Sequence, residues 1–326
     1  MEISVVVPTY NRRETVQRTL EALFAQTLAP HRYEVIVVVD GSTDGTYEAL
    51  QKLRPACGFH VVEQENRGLA GARNTGYRNA KTDLVLFLDD DMLCDPGLVE
   101  AHLNAHHGAD SVVAFGAIFL SPDSPPSLAA ECFNREIGSS HIQRKSNPNL
   151  PWEITACTFS NASIARTLLE ELGGFDESFR MREDLEFGIR LFQSDRPIHA
   201  LPLPGAIACQ YYDKTCKELI RDSHAFAVAD LLLAQKHPTT NIKGHVNTLD
   251  QERGWKPAVR RMAARMPAVA DLLLGPVCMA GQIFYPIRPV RNLGVRSLQA
   301  RRRLHWLHRV MELRRKAGLS AHGKST

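Results

Sequence analysis

Three adjacent carboxylates, Asp89-Asp90-Asp91, close the apolar run LVLFL at 84–88. Their mutual repulsion calls for a cation, and hard oxygen ligands without His or Cys nearby suit Mg2+ or Mn2+, ions that commonly hold phosphates with one or two protein carboxylates. On extended backbone Asp89 and Asp91 share a side and Asp90 points oppositely, so one side is expected to take metal and the other a sugar hydroxyl. A turn with helix-capping acids explains the triplet equally well. The segment DGSTDG at 40–45 follows a second apolar run. Asp40 can accept from a nucleobase or ribose, Gly41 admits close backbone approach, and Ser42 or Asp44 can cap the helix starting near Thr46. Arg73, inside GLAGARNTG, offers a guanidinium to phosphate or base if its helix faces a cleft. Glu183-Asp184 stands where a helix begins, which stabilises the anion. Ordinary dipole matching accounts for that pair, and so does a general base within reach of an acceptor proton.

The elements that must position these residues follow from periodicity. Ile3–Pro8, Glu34–Asp40, Phe59–Glu63 and Leu84–Asp89 are continuous and mostly β-branched, as strands buried on both faces of a parallel sheet require. Val16, Leu20, Leu23 and Phe24 recur at helical spacing between the first two, and Gly68–Ala80 reads as a helix between the last two. Strands alternating with helices predict an open α/β sheet. Ligands bind such sheets beyond the carboxyl ends of the strands, where Thr9–Asn11, Asp40–Asp44 and Asp89–Asp91 all fall. Residues 119–155 are rich in Pro and Ser and read as an inserted loop. Leu168–Leu172 is followed by a Gly173-Gly174 stop, and helical patterns resume over Glu183–Phe192 and Lys217–Lys236.

Composition narrows the class. Of 326 residues, 44% are hydrophobic and 23% charged, with 21 Gly and 18 Pro, which excludes collagen, wholesale disorder and a disulfide miniprotein. The seven cysteines never form CxxC, so reduced thiols are expected and a zinc ribbon is not. The opening MEISVVVPTYNRRE lacks the pattern of a signal peptide, and a cytoplasmic location is expected. Net charge hides an asymmetry. From Arg253 onward 16 Lys and Arg face only Asp271 and Glu312, a balance of +14 against −11 for the rest. A basic tail suggests an anionic surface as partner, either membrane or nucleic acid, and a place at the inner face of the membrane is one expectation, although a charge run is more often a solvated face. Pro267–Ile287 contains Asp271 and three prolines, so it reads as an interfacial segment or, preferably, as core packing rather than as a span. Arg301-Arg302-Arg303 lacks interleaved aromatics apart from Trp306, and no nucleic-acid partner is expected.

Taken in order, PTYNR at 8–12, VVVDGSTDGT at 37–46, ENRGLAGARNTG at 65–76, FLDDDM at 87–92 and GGFDESF with REDLEFGIRL over 173–191 resemble the glycosyltransferase family 2 enzymes of GT-A fold over about residues 1–200. The resemblance implies a GT-A fold, an open and mostly parallel sheet flanked by helices with a Rossmann-like nucleotide-binding half over 1–118. It further implies an acceptor-binding half over 119–236 that carries the base; the polar linker after His237-Pro238 and the charge balance add a basic helical extension over 237–326. By position, Thr9 and Asp40 match residues that hold the base, Pro8, Tyr10 and Asn11 shape that pocket, and Arg73 matches a nucleotide-contacting arginine. Asp89, Asp90 and Asp91 look like the DxD element, with Asp90 toward the ribose and Asp91 and Asp89 toward metal and diphosphate. Asp184, paired with Glu183, matches the catalytic base. The implied reaction is metal-dependent transfer from a nucleotide-sugar, a UDP-sugar foremost, to a hydroxyl of a carbohydrate, lipid-linked or small-molecule acceptor, with inversion. Trp152 is a candidate acceptor platform. Two departures matter: Val39 replaces the first of two acids often found before the turn, and no QxxRW follows the Glu-Asp pair, which argues for single addition rather than polymer extrusion. A retaining transferase of the same fold, or a silent membrane-associated scaffold, would share much of this sequence.

Overall fold

A computed structural model describes residues 1–107, 111–136, 158–240, 246, 249 and 254–317. Trp152 lies outside these residues. The chain divides into two units, one formed by 1–123 with 136–212 and the other by 124–135 with 213–326.

The first unit is an eight-stranded mixed sheet in the order β3-β2-β1-β4-β7-β6-β8-β5. Strands β1 (Ile3–Thr9), β2 (Tyr33–Asp40), β3 (Gly58–Gln64) and β4 (Leu84–Leu88) are mutually parallel. They are joined through helices α1 (Arg13–Phe24), α2 (Thr46–Leu50) and α3 (Gly68–Arg78). Every residue of β1, β2 and β4 is buried, which is why these runs are apolar throughout rather than alternating. The order 3-2-1-4 brings the carboxyl ends of β1, β2 and β4 together.

Strand β5 (Met92–Cys94) and helix α4 (Leu98–Ala105) follow the acidic triplet. Then β6 (Val112–Leu120) and β7 (Asn161–Ala165) extend the sheet, with β7 antiparallel to both β4 and β6. Helix α6 (Arg166–Glu171) and α7 (Glu183–Gln193) precede β8 (His199–Gln210), which pairs parallel to β6 and antiparallel to β5. The β6–β8 register jumps between Gly116 and Ala117. Pro204 falls in the bulge opposite, where a residue without an N–H costs no ladder bond. Phe87, Phe159, Phe175 and Phe187 pack edge-on under α7, with ring centroids 5.2–5.9 Å apart for Phe87–Phe159, Phe87–Phe175, Phe159–Phe175 and Phe159–Phe187, and they tie that helix to β4.

The second unit is helical: α5 over 128–136, α8 (Cys216–Lys236), α9 (Trp255–Ala264), α10 (Pro267–Ile283) and α11 (Arg288–Lys316). Helix α5 corrects the expectation of loop through 119–155: Leu128, Ala129, Ala130 and Cys132 are buried, and Gln282 Oε1 accepts from the Leu128 N–H at 3.0 Å. Thr215 and Glu218 form a reciprocal capping box at the start of α8. Ala227, Leu304, Trp306, Leu307 and Val310 build the unit's own core, and Trp306 donates its indole N–H to buried Asp230 at 2.8 Å. Among the described residues no single helix is long and apolar enough to cross a membrane.

Candidate active site

The ends of β1, β4 and β8, the start of α7 and the middle of α3 bring together a cluster of acids held by two arginines, Arg12 and Arg73. Strand β4 ends at Leu88, so Asp89, Asp90 and Asp91 lie in the turn before β5 rather than on extended backbone. The alternation expected for them therefore fails. Asp90 and Asp91 turn to the same cation, Arg12, whose Nη1 is 2.9 Å from Asp90 Oδ1 and 2.9 Å from Asp91 Oδ2. Asp89 turns to Arg73 instead, with Nη2 at 2.9 Å.

Arg12 was not legible as a site residue on its own. It stands in the PTYNR segment, 78 and 79 positions from its partners, and only the β1–β4 pairing brings it beside them. Burial lowers the proton affinity of its guanidinium, but the charges of Asp90 and Asp91 outweigh that and raise it.

Asp90 is fully engaged. Its Oδ2 accepts from Thr9 Oγ1 at 2.7 Å and its carbonyl from Thr19 Oγ1 at 2.7 Å. Asp91 is not. Its Oδ2 also accepts from Gln210 Nε2 on β8 at 3.1 Å, but its Oδ1 is buried without a hydrogen-bond partner. Burial, then the neighbouring charge of Asp90, pushes the Asp91 carboxyl up to about 7.

Arg73 is the deepest charge in the cluster, 1% exposed. Its Nη1 lies 2.7 Å from Glu183 Oε1, so one guanidinium joins the triplet after β4 to the acid pair that opens α7, 110 positions away from it in sequence. Glu183 is buried, and burial followed by the charge of Asp184 lifts its carboxyl to about 7. Asp184 keeps some exposure and accepts from the Leu185 N–H at 2.7 Å. Burial raises its proton affinity too, against the opposing pull of Arg73. Glu183 and Asp184 thus face one fixed cation between them, and an acid pair with that balance favours taking up a proton.

Asp40, expected at the base, caps α3. It accepts from the N–H groups of Arg67 and Gly68, each at 2.8 Å, and from Gln64 Nε2 at 2.6 Å, satisfying donors that a helix start leaves over. Asn11 ties the loop after β1 to the loop after β2: its N–H donates to Ser42 Oγ at 2.9 Å and its Oδ1 accepts from the Thr43 N–H at 2.7 Å. Asp44 accepts from the backbone of Arg13 and Thr46. Tyr10, beside Pro8 and Thr9, is 51% exposed at the rim. Among the described residues only Asn11 and Arg182 adopt positive φ without being glycine, at 51° and 68°. Arg182 directly precedes Glu183, and Asn11 directly precedes Arg12. Backbone held in a costly conformation gathers where geometry matters for function. Among the described residues no three His, Cys, Asp or Glu side chains form a ready-made metal cage.

A mixed sheet whose parallel half presents acids and arginines at its carboxyl ends, continued by antiparallel strands, is a GT-A fold of the kind found in glycosyltransferases. Residues 4–173 match the family model described as glycosyl transferase family 2, and the chain belongs to that family. It is similar to validoxylamine A glucosyltransferase of Streptomyces hygroscopicus subsp. limoneus, 31% identical over 268 residues that cover 73% of this chain and 57% of that protein. Chondroitin synthase of Escherichia coli is 30% identical over 223 residues, covering 59% of this chain and 32% of the synthase. The chain thus spans only part of the length of these relatives. Among solved structures, the mannosyltransferase PcManGT from Pyrobaculum calidifontis, in complex with GDP-Man and Mn2+, has a TM-score of 0.60 at 22% identity, over 92% of this chain and 85% of that one. TarS 1–349 of S. aureus, in complex with UDP, has a TM-score of 0.50 at 18% identity, over 97% and 92%. Both likenesses are of fold.

Proposed function

We propose that this glycosyltransferase moves a sugar from a nucleotide diphosphate donor, a UDP-sugar foremost, to a single acceptor hydroxyl with inversion at the anomeric carbon. One observation carries the reading: Arg73 joins Asp89 to Glu183, so donor-side acids and the acid pair border one site. The donor set fits a divalent ion. Asp91 keeps a buried, unpartnered oxygen, Asp89 stands two residues before it in the same turn, and diphosphate oxygens would complete a shell that the protein alone does not close. Bound by Asp89 and Asp91, Mg2+ or Mn2+ would offset charge on the departing diphosphate.

The chain's own residues do the rest. Asp184, free of the metal carboxylates, takes the acceptor proton; the acceptor oxygen bonds to the anomeric carbon as the bond to the diphosphate oxygen breaks, its electron pair leaving with the nucleotide. Raised proton affinity suits Asp184 to that task better than an ordinary surface aspartate. Glu183 positions Arg73, and the Arg73 guanidinium, fixed before the reaction, offsets negative charge as it develops. Asp40 holds the start of α3, and with Pro8, Thr9, Tyr10 and Asn11 it shapes the base pocket. Asp90 positions Thr9 and Arg12.

Asp184→Asn should keep donor affinity and lose transfer by about 10²–10⁴-fold, whereas Asp91→Ala should weaken metal-dependent donor binding. Full turnover in both would overturn the assignment, and anomeric NMR of the product separates inversion from retention.

A further inference from the structure

Helices α9 and α10 are built inside out. On α9, Val259 and Met262 are 50% and 65% exposed, and Met266 just beyond it is 62% exposed. On α10, Leu272, Leu273, Met279 and Ile283 are 74%, 67%, 64% and 65% exposed. Met279 and Ile283 fall within about 20° of Leu272 around the helix axis and Leu273 about 100° to one side, so the four cover an arc of about 120°. The opposite face packs inward through Ala270, Cys278 and Gly281. Gly281 makes that packing close: a Cβ there would stand 2.6 Å from the Cα of Gly294 on α11. Core packing, preferred from the sequence, therefore accounts for one side of α10 only. The apolar surface runs on through Phe284 and Ile287, each 51% exposed. Single exposed apolar residues are ordinary; a contiguous run of this size marks an interaction surface.

Charge identifies the partner. The one acid of α10, Asp271, is turned to α11, where Arg301 Nε lies 2.8 Å and His305 Nε2 3.0 Å from its carboxylate. Basic residues stand at both ends of the apolar run of α10: Arg260, Arg261 and Arg265 come before it, interspersed with the apolar residues of α9, and Arg288 and Arg291 after it, with Arg265 and Arg288 exposed. Apolar centre with arginines at both ends is the pattern of a segment lying at the boundary of headgroups and acyl chains, its long cations reaching the phosphates. A second copy fits poorly, because pairing this face with itself would press together two chains whose segments from Arg253 onward each carry +14. The 17 residues of α10 measure about 25 Å, short of the roughly 30 Å of a hydrocarbon core, and α9 meets α10 at 103°. The pair suits lying in the surface rather than crossing it.

We propose that the α9–α10 face docks on an anionic lipid bilayer, with Leu272, Leu273, Met279 and Ile283 entering the acyl boundary and the flanking arginines holding acidic headgroups.

The test is flotation of the full chain with vesicles of phosphatidylcholine alone and of phosphatidylcholine with phosphatidylglycerol. The protein should float with the anionic vesicles, at least tenfold more than with neutral ones, and high salt should reduce this. Leu272→Glu with Leu273→Glu should abolish flotation while leaving the thermal melt in place, since both side chains are mostly exposed. Met279→Glu with Ile283→Glu is a second pair on the same face, should the first not fold. Arg265→Glu with Arg288→Glu should remove the preference for anionic lipid. Absence of flotation, flotation unchanged in the glutamate variants, or a concentration-dependent dimer that those variants dissolve would each overturn the proposal, the last by assigning the face to a second copy. None of these readouts depends on sugar transfer.

Discussion

Arg12 holds one oxygen of Asp91 at 2.9 Å while the other oxygen of that carboxylate lies buried without a partner. The guanidinium therefore supplies, between Asp90 and Asp91, part of the positive charge that a divalent ion would supply in full. Arg12→Met keeps the aliphatic stem and removes the charge. It should lower stability by about 2 kcal/mol, less than for a fully buried pair because Arg12 is about one-third exposed. Mn2+ should then raise the melting temperature of the variant more than that of the parent, because the ion fills an electrostatic gap that Arg12 otherwise covers. Equal shifts in thermal melts with and without MnCl2 would show that the two cations do not substitute for each other.

Arg73 serves Asp89 and Glu183 with two different nitrogens of one planar fork. Lysine has a single point charge and cannot reach both in that geometry. Arg73→Lys should therefore cost about 3 kcal/mol, most of it from leaving one buried carboxylate without its partner. Urea unfolding measures this directly, and a variant as stable as the parent would mean that the fork contributes little.

The parallel half of the sheet was plain in the sequence, because strands buried on both faces must be apolar without interruption, as in IVVVD at 36–40. The remaining strands were harder. Within β8, Pro202 and Pro204 argue against a strand until the bulge beside Ala117 supplies a place for the second of them. The acids of the site were legible by type and by their position after strands, but their directions were not. Extended backbone would alternate the triplet, whereas the turn after Leu88 sends Asp90 and Asp91 to Arg12 and Asp89 to Arg73. Arg12 itself carries no local signal. Its partners lie about eighty residues away, and pairing over that distance follows from strand order, which periodicity does not encode.

Both Asp91 and Glu183 are lifted by burial to about 7, well above an unfolded carboxylate. The folded state thus holds protons that the unfolded state has released, so stability is greatest below about pH 4 from these groups and is lost as pH rises toward 7. For Glu183 alone the full effect is about 3 kcal/mol. Melting temperature should fall by several degrees between pH 5 and 8, and Glu183→Gln should flatten that slope by removing one of the two titrating groups. A melting temperature that rises over this range in the parent would mean that Arg73 and Arg12 dominate, holding both acids ionised.

Arg73 can be placed only as accurately as α3 is seated, and α3 rests on β1 through Gly76. A Cβ at that position would stand 2.1 Å from Val6 Cγ1, in a core where Val6 is wholly buried. Gly76→Ala should therefore push the helix outward and cost about 1–3 kcal/mol by overpacking. It should also displace Arg73, one helical turn earlier, from Asp89 and Glu183. Misplacement of a charge by about 1 Å can cost on the order of 10²-fold in rate, so transfer should fall further than the loss of folded protein explains, measured at a temperature where both forms are fully folded. Val6→Ala, which removes the obstructing methyl groups, should restore both stability and transfer when combined with Gly76→Ala. Recovery of stability without recovery of transfer would separate the seating of α3 from the placement of Arg73.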